Sequence, residues 1–370
     1  MTRPDAPTGR EHVLVARQDS VGDVLLAGPA VRAVAAGAAR VTLLCGPRGR
    51  AAAELLPGVH EVVVEAAPWI DAEPEPVSRA ATEAFVDGLA RRGIDQAIVL
   101  TSFHQSPLPL ALLLRLAGVA TVAATSVDYP GSLLDVRHRV DEDLHEVERA
   151  LSLVATLGYR LPPGDDGRLA VRRPRAGERP VPHPPYVDPP YVVVHPGASA
   201  PARAWAPERH AALVRSLADR GRRVVVTGGA AERELTALVA GPPRPEVTDL
   251  GGRVDLAGLA ETLAGSCAVV VGNTGPAHLA AAVGTPVVSL FAPTVPAARW
   301  RPWKVPHVLL GRQDAACAGS RARSCPVPGH PCLDGLGVDE VAAAVDLLAA
   351  GAPTSTEMPG TEMPEGVARR

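Results

Sequence analysis

Several features that mark other classes of protein are scarce or missing in this chain of 370 residues. No uninterrupted apolar run is long enough to span a bilayer, and the N-terminal MTRPDAPTGREH has no hydrophobic export segment. We therefore expect a cytoplasmic protein with no transmembrane segment, and leave peripheral membrane association open. Aromatic residues make up only 3% and the formal net charge is −3, which gives no electrostatic case for binding nucleic acid.

Lysine is almost absent, since Lys304 is the only one and arginine supplies nearly all the positive charge. The chain has five cysteines, an odd number, which argues against a disulfide framework. Cys317, Cys325 and Cys332 form C-x7-C-x6-C with His330 in the same loop. That spacing matches no standard zinc or iron–sulfur pattern, so a reduced loop is favoured over a metal site.

What is present is an alternation of short β-branched runs with amphipathic stretches in both halves of the chain. This pattern is typical of parallel sheets covered by helices. We predict an α/β fold of two Rossmann-like domains, residues 1–159 and 191–350, that face each other across a cleft. Residues 160–190 are dense in proline, glycine and arginine and are predicted to form the linker, with a disordered tail over 351–370.

The predicted elements are short. One helix is predicted from Val24 to about Ala36, and Arg137 and His138 are assigned to a loop. The predicted strands are His12–Ala16, Val41–Cys45, Glu61–Val64, Asp95–Leu100 and Val119–Ala123 in the first domain, and Tyr191–His195, Arg223–Thr227, Glu246–Asp249, Ala268–Val271 and Val287–Phe291 in the second.

Residues 268–294 predict a strand, a glycine-rich turn, a helix and a second strand. Pro276 suits the first turn of that helix, because its missing N–H would have no partner there. The amides of Thr274, Gly275 and Ala277 are expected to point at an anion such as a diphosphate. The alternative is an ordinary crossover with a tight turn.

Another loop follows the strand that ends at His195. Gly197 allows close approach of a ligand to the backbone, Ser199 can donate a hydrogen bond, and Arg203 offers a guanidinium suited to phosphate oxygens. Arg203 could equally be a solvated surface group.

Two further loops are predicted to reach the same ligand. Thr227 and Gly228 end a strand, and Glu232 follows where a carboxylate can accept the hydroxyls of a ribose. Glu232 could instead be a helix-start residue that only interacts with the dipole of the helix. Val254, in the loop before the next helix, could pack on a base.

The combination of these loops with the N-terminal one resembles glycosyltransferase family 9, which contains the ADP-heptose:lipopolysaccharide heptosyltransferases. The resemblance extends over residues 12–310. Its matching blocks are R-Q-D-S-V-G-D-V-L-L-A-G-P-A at 17–30, H-P-G-A-S at 195–199, R-A-W-x-P-E-R at 203–209, T-G-G-x-x-E at 227–232 and G-N-T-G-P-A-H-L-A-A-A at 272–282.

The resemblance implies a GT-B fold, with the acceptor in the N-terminal domain and the nucleotide-sugar donor in the C-terminal one. It implies inverting transfer in a single displacement, without an obligatory metal or a bound cofactor. The general base aligns with Asp23, whose alternative role is that of a helix N-cap. Donor contacts are assigned to His195, Gly197, Ser199, Arg203, Thr227, Gly228, Glu232, Val254, Asn273, Thr274, Gly275, Pro276 and His278, and acceptor contacts to Arg17, Ser20, His104 and Gln105.

The chain departs from the heptosyltransferase pattern at Asn273, where those enzymes carry Asp, and at Val295, where they have the Asp of P-T-D-P. Arg203 stands where they often have Lys. ADP-heptose and lipopolysaccharide core biosynthesis are the first expectations that the resemblance gives, and these departures weaken the expectation of a heptose. An actinobacterial source would explain the composition and would favour another glycan, a glycolipid or a secondary metabolite as acceptor.

Two other classes stay open. A dinucleotide-dependent oxidoreductase is disfavoured, because no G-x-G-x-x-G follows Val13–Ala16. A non-catalytic nucleotide-sugar-binding protein would tolerate the loss of the acid at Asn273, but would have no need of a base at Asp23.

Overall fold

The computed structural model describes residues 8–71, 73–102, 104–140, 143–173 and 190–351. The first half forms a six-stranded parallel sheet in the order β3-β2-β1-β4-β5-β6. Its elements are β1 (His12–Ala16), α1 (Val21–Leu26), α2 (Gly28–Ala35), β2 (Arg40–Cys45), α3 (Arg50–Leu55), β3 (Glu61–Val64), α4 (Arg79–Ala90), β4 (Gln96–Val99), α5 (Leu108–Leu116), β5 (Thr121–Thr125), β6 (Val136–His138) and α6 (Glu146–Thr156).

The second half repeats this arrangement, with a six-stranded parallel sheet in the order β12-β11-β10-β7-β8-β9. Its elements are β7 (Tyr191–His195), α7 (Pro207–Asp219), β8 (Arg223–Val226), α8 (Arg233–Ala240), β9 (Val247–Asp249), α9 (Leu256–Ala264), β10 (Ser266–Gly272), α10 (Gly275–Val283), β11 (Val287–Leu290), α11 (Ala297–Trp300), β12 (His307–Leu310) and α12 (Val338–Ala349).

The central strands of both sheets are apolar on both faces, which explains why they continue without alternation. In β1, Val13, Leu14 and Val15 have no exposed surface, and Val193 and Val194 of β7 are equally buried. Helices cover both faces of a parallel sheet, so every residue of a central strand meets a core. The predicted α/β class with two Rossmann-like halves is confirmed.

The first predicted helix is wrong in two respects: it begins at Val21 and not at Val24, and it is interrupted. Val24–Ala36 is not continuous: α1 ends before Ala27, and α2 starts again with Pro29 in its first turn. Proline has no N–H to bond the preceding turn, so the chain restarts the helix there.

The strands at one edge of each sheet were not predicted. Arg137 and His138 lie in β6 and not in a loop, and β12 pairs with β11 at the edge of the second sheet. Both strands are short and only half-buried, so neither has the apolar run of a central strand.

The predicted linker is partly packed. Residues 160–173 contact both halves, since Arg32 pairs with Asp165 at 2.6 Å and Trp303 Nε1 donates to Gly167 O at 2.8 Å. Residues 174–189 and 352–370 lie outside the described residues, so the rest of the linker and the tail stay predictions. Within the described ranges, no helix has the length and apolar character needed to cross a membrane.

Candidate active site

Two cavities lie where the carboxyl ends of the two sheets approach each other. The Asp23 cavity, named for the side chain that lines it, has a volume of about 270 Å³. The Glu232 cavity has a volume of about 380 Å³. Both cavities are lined by Ser20, Gly22, Ser199, Thr274 and Gly275, so they adjoin.

Most predicted site residues line one or both cavities. The Asp23 cavity includes Ser20, Asp23, His104, Gln105, Ser199, Arg203, Asn273, Thr274, Gly275 and His278. The Glu232 cavity includes Ser20, His195, Gly197, Ser199, Gly228, Glu232, Val254, Thr274, Gly275 and Pro276.

Two predicted contact residues line neither cavity. Arg17 is 4% exposed and lies beneath the Asp23 cavity among acidic side chains. Thr227 is fully buried at the end of β8, with its hydroxyl 3.0 Å from His195 Nδ1. Both therefore support residues of the cavity walls.

Arg17 is the centre of a buried cluster at the end of β1. Its Nη2 donates to Asp23 Oδ1 (3.0 Å) and to Ser102 Oγ (2.9 Å). Its Nη1 donates to Glu146 Oε2 (3.2 Å), and its Nε lies 2.8 Å from Asp19 Oδ2. One guanidinium thus joins three carboxyl groups from two parts of the first half.

The three carboxyl groups differ in how easily they ionise. Burial raises the pKa of Asp19 to about 6, with Asp23 adding to the rise and Arg17 opposing it. Burial also raises the pKa of Glu146. For Asp23, burial is outweighed by Arg17, by the Ser20 hydroxyl and by His278, so its pKa lies below the ordinary value. Asp23 is therefore the carboxylate of this cluster that is ionised most readily.

Asp23 is not the N-cap of α1. Ser20 holds that position, and Asp23, three residues on, accepts from the Ser20 hydroxyl at 2.8 Å. Ser20 thus takes the N-cap role that was the alternative for Asp23, although the two side chains still form a capping box. Gln105 donates to Asp19 across the same cavity wall.

The start of α10 presents fewer free amides than predicted. Thr274 N donates to Gly272 O (2.8 Å) and Ala277 N to Thr274 O (3.1 Å), so two of the three amides expected to face a ligand are already bonded. Gly275, the first residue of α10, lines both cavities. Pro276 lies in the first turn of α10, as predicted.

The starts of α1 and α10 touch each other. A Cβ added at Gly22 would lie 2.8 Å from His278 Cδ2 and 3.3 Å from Gly275 Cα. Because a real Cβ is essentially never found that close, no larger residue fits at Gly22 without movement. The glycine lets the two halves meet between the cavities.

Arg203 and Trp205 follow β7. Arg203 ends a short 3-10 turn, Pro201–Arg203. Trp205 is 2% exposed and packs edge-to-face with His210, with 4.9 Å between the two ring centroids. Burial, with the nearby Arg323 guanidinium adding to it, lowers the pKa of Arg203, although Asp23 opposes the change.

Asn273 and His278 form part of the Asp23 cavity wall. Asn273 Nδ2 donates to Ala292 O at 3.3 Å. Burial lowers the pKa of His278 to about 4 although Asp23 acts against it, so the imidazole is neutral at pH 7. Among the residues described, no cluster of His, Cys, Asp or Glu has the arrangement of a metal site.

The lining of the Glu232 cavity combines polar and apolar groups. Glu232 accepts from Gly229 N at 2.7 Å, and a Cβ at Gly197 would lie 2.0 Å from its Oε1. Val254 and Leu256 add apolar surface to the same lining. Glu232 thus both bonds the backbone at the start of its turn and faces the cavity.

Several cavity residues were missed by sequence reasoning. Arg48 and Trp300 line the cavities, as do Arg321 and Arg323 of a long loop. No motif carries the two arginines, since their loop matches no standard pattern. Glu146, which anchors Arg17, lies in an otherwise ordinary amphipathic helix and gave no signal either.

Known proteins with similar sequences are heptosyltransferases. Lipopolysaccharide heptosyltransferase 1 of Pseudomonas aeruginosa is 34% identical over 217 residues, covering 55% of this chain and 56% of the relative. Lipopolysaccharide heptosyltransferase 3 of Escherichia coli is 34% identical over 116 residues, covering 30% of this chain and 34% of the relative. The chain thus matches between about a third and just over half of the length of these relatives.

Solved structures share the fold over nearly the whole chain. The glycosyl transferase family 9 protein of Veillonella parvula has a TM-score of 0.72 at 16% identity and covers 94% of this chain and 99% of its own. The E. coli heptosyltransferase WaaC with ADP-2-deoxy-2-fluoro heptose has a TM-score of 0.67 at 24% identity, covering 90% and 99%. The predicted GT-B fold is confirmed.

A family model described as glycosyltransferase family 9 (heptosyltransferase) matches residues 84–330, well over half of the chain. The matched region contains the Arg203, Glu232 and Asn273–His278 segments that line the two cavities. The chain therefore belongs to glycosyltransferase family 9.

Proposed function

We propose that this protein is an inverting glycosyltransferase that moves a sugar from a nucleotide-diphosphate donor to a hydroxyl group. ADP-heptose is the first candidate donor. The observation that carries the proposal is the meeting of the two cavities at Ser20, Gly22, Ser199, Thr274 and Gly275, with the Asp23 carboxylate on one side and the Glu232 carboxylate beside apolar side chains on the other.

The nucleoside of the donor occupies the Glu232 cavity. The Glu232 carboxylate accepts hydrogen bonds from the ribose hydroxyls, and Val254 and Leu256 pack against the base. This leaves the diphosphate at the junction, beside Ser199 and the first residue of α10, where the helix dipole favours negative charge.

The sugar then lies in the Asp23 cavity. Asp23 takes the proton of the acceptor hydroxyl as its oxygen attacks the anomeric carbon, and the bond from that carbon to the diphosphate oxygen breaks. Because attack and departure take place on opposite faces in one displacement, the anomeric configuration inverts.

Negative charge grows on the diphosphate as it leaves. Ser199 lines the junction and Arg203 lines the adjoining Asp23 cavity, both from the loop after β7, and α10 starts at the junction. Fixed donors of this kind stabilise a developing charge without rearrangement of the site. In the proposed mechanism these groups take the role that a metal ion plays in other transferases.

The identity of the sugar depends on Asn273 and His278. Both line the Asp23 cavity, and both are uncharged at pH 7. An amide at position 273 has one acceptor oxygen where a carboxylate has two, which can change the sugar that is bound. A heptose is the first candidate, and transfer of another sugar is an outcome of the test.

The acceptor is proposed to be a glycan, a glycolipid or a small molecule that enters beside His104 and Gln105. The similar proteins from P. aeruginosa and E. coli are named as lipopolysaccharide heptosyltransferases, which makes lipopolysaccharide core one candidate. We place the reaction in the cytoplasm, with or without peripheral contact to a membrane, and assign it no cofactor.

Calorimetric titration with ADP, GDP, UDP and NAD tests the donor site. Preferential binding of ADP, weakened at least about tenfold by Arg203→Ala and kept by Asp23→Ala, is the expected result, since loss of a charge-assisted phosphate contact removes about 1.4 kcal/mol or more. Preference for GDP or UDP would replace ADP-heptose within the same class. Binding of NAD alone would contradict the proposal and favour an oxidoreductase.

A non-catalytic nucleotide-sugar-binding protein is the second candidate, because Asn273 lacks the acid of the heptosyltransferases. Transfer assays with ADP-heptose and a panel of acceptors separate the two. Transfer that Asp23→Asn abolishes supports the enzyme. Tight donor binding without transfer to any acceptor, unaffected by Asp23→Asn, supports the binding protein.

A further inference from the structure

His145 immediately precedes α6 and lies where the two halves of the chain meet. Its side chain is buried, at 2% exposure. The imidazole stacks on Trp303 of the second half, with 4.4 Å between the ring centroids and 26° between the ring planes. Neither residue lines the Asp23 or the Glu232 cavity, so the pair lies outside the candidate site.

Both ring nitrogens of His145 are bonded. Nδ1 accepts from Val147 N at 3.2 Å, in the first turn of α6, and Nε2 lies 3.0 Å from Arg301 O. Because a carbonyl oxygen only accepts, Nε2 carries the proton and the ring is the neutral tautomer. Burial lowers the pKa of His145 to about 3, although the bond to Arg301 opposes the change, so the ring is neutral at pH 7.

One imidazole thus joins a segment of the first half to a segment of the second. On one side it is the N-cap of α6 and bonds the helix backbone. On the other side it bonds the residue after α11, the short helix whose last residue, Trp300, lines the Asp23 cavity. Trp303 is itself held, since its Nε1 donates to Gly167 O at 2.8 Å. The His145 ring is therefore fixed from both halves.

Glu146 follows His145 and is the first residue of α6. Its side chain is 2% exposed, and its Oε2 accepts from Arg17 Nη1 at 3.2 Å and from Nη2 at 3.3 Å. Arg17 Nη2 also donates to Asp23 Oδ1 at 3.0 Å. Closely packed buried groups transmit displacements to their neighbours. A movement of the start of α6 therefore reaches the proposed base through Arg17.

A helix cap alone does not require a histidine. Serine, threonine, aspartate and asparagine are the usual N-caps, because a short side chain can accept from the first free amides. The imidazole adds a second arm, the Nε2–H that reaches Arg301 in the other half. Its stack on Trp303 adds a contact that a short cap lacks. His145 thus supplies a link between the halves that the helix itself does not need.

We propose that His145 is a positioning residue for the reaction, which links the start of α6 to residues 300–303 of the second half. Through Glu146 and Arg17, this link fixes the base, Asp23, relative to the donor site. The inference rests on the proposed function, in which the base belongs to the first half and the donor site to the second. The rate of proton removal depends on the distance between the base and the acceptor hydroxyl, which this link helps to set.

The test measures the release of ADP from ADP-heptose in the presence of the acceptor panel, with the full chain and its variants. If the titration selects GDP or UDP, the corresponding nucleotide sugar replaces ADP-heptose. His145→Asn keeps a side chain that caps α6 but is too short to bond Arg301 or to stack on Trp303. We expect its kcat to fall at least about tenfold, while the KM for the donor and the affinity for ADP stay within about twofold.

Trp303→Leu tests the same link from the second half, because it removes the stack and leaves His145 in place. It should also lower kcat more than it changes KM, and it decides the matter if His145→Asn does not fold. His145→Asn combined with Glu146→Gln should lose little more than the larger of the two single losses, since both changes act through Arg17. Losses in kcat that simply multiply would overturn the inference.

His12→Asn is the matched control. His12 is also bonded at both ring nitrogens, with Nδ1 3.0 Å from Arg92 O and Nε2 2.8 Å from Thr42 Oγ1, and it lines neither cavity. Its replacement should lower the stability and keep kcat within about twofold. The control thus separates loss of a buried histidine from loss of the link to the base.

Two other results would overturn the inference. One is a kcat within about twofold of the unmodified value in both His145→Asn and Trp303→Leu. The other is a loss of ADP affinity in His145→Asn as large as in Arg203→Ala, which would assign His145 to donor binding. Failure of the unmodified protein to bind any of the three nucleoside diphosphates would contradict the proposed function on which the inference rests.

Discussion

Arg17 Nη1 donates to Glu146 Oε2 at 3.2 Å, although the two residues are far apart in sequence. The same guanidinium also holds Asp23, so the position of the proposed base depends on a residue in α6. Both side chains of the pair are almost completely buried.

Truncation of Glu146 should destabilise the protein. Glu146→Ala leaves the buried Arg17 without one of its partners, and loss of one member of a buried pair lowers the free energy of unfolding by about 3 kcal/mol. Urea denaturation followed by circular dichroism measures the change. Glu83→Ala is the control, because the Arg79–Glu83 pair is exposed and should contribute less than about 1 kcal/mol. Equal effects of the two variants would contradict the role of the Arg17 cluster.

Stability should depend on pH through Asp19, whose pKa is raised to about 6 by burial. Between about pH 4 and pH 6 the folded chain keeps a proton that the unfolded chain has lost, so stability falls as pH rises. Asp19→Asn removes this titration. The free energy of unfolding of Asp19→Asn minus that of the unmodified protein should therefore increase between pH 4 and pH 7, by an amount on the order of 1–2 kcal/mol.

Asp339→Asn serves as the control for that experiment, because the side chain of Asp339 is 96% exposed. Its difference from the unmodified protein should change little over the same range. A difference for Asp19→Asn that stays constant with pH, or that falls, would show that the pKa of Asp19 is not raised in the folded chain.

A methyl group at Gly22 should disturb the junction of the cavities. Its Cβ would lie 2.8 Å from His278 Cδ2, so α1 and α10 must move apart. We expect Gly22→Ala to lower the rate of transfer at least about tenfold, since displacement of reacting groups by about 1 Å is enough for a large loss. Gly88→Ala, where the nearest atom is 3.6 Å away at the end of an arginine, should keep full activity.

A methyl group at Gly197 tests the proposed contact between Glu232 and the ribose. Its Cβ would lie 2.0 Å from Glu232 Oε1 and would push the carboxylate out of place. Titration with ADP should show a loss of affinity of roughly tenfold, similar to that of Glu232→Gln, because a hydrogen bond to a charged group contributes about 1.5 kcal/mol. Gly88→Ala, which adds a methyl group 3.6 Å from the nearest atom and away from both cavities, is the control and should bind ADP normally.

The sequence predicts the structure best where burial and backbone geometry allow only a few residue types. The central strands β1 and β7 were placed correctly to the residue, because strands buried on both faces have continuous apolar runs. The cavity loops were found through Gly197, Gly275 and their neighbours, where the backbone needs residues without side chains. Edge strand β6 is short and half-buried and has no such pattern.

Contacts between distant segments could not be predicted in the same way. Glu146 and Arg17 are ordinary charged residues of a helix and a loop until the fold brings them together. Arg323 likewise lines the Asp23 cavity only because its loop is anchored at Ala202. Pairing of this kind depends on tertiary structure and leaves no periodicity along the chain.

Gly22 and Gly275 belong to different domains, and each is packed against the other domain: a Cβ at Gly22 would lie 2.8 Å from His278 Cδ2 and 3.3 Å from Gly275 Cα, and one at Gly275 would lie 3.2 Å from Val21 Cγ1. Each domain thus limits the sequence of its partner at this point. A chimera that combines the N-terminal domain of this protein with the C-terminal domain of a relative would need a small residue on both sides of the contact. Exchange of whole domains between members of the family is therefore restricted by one pair of residues, whatever donor or acceptor each domain has come to prefer.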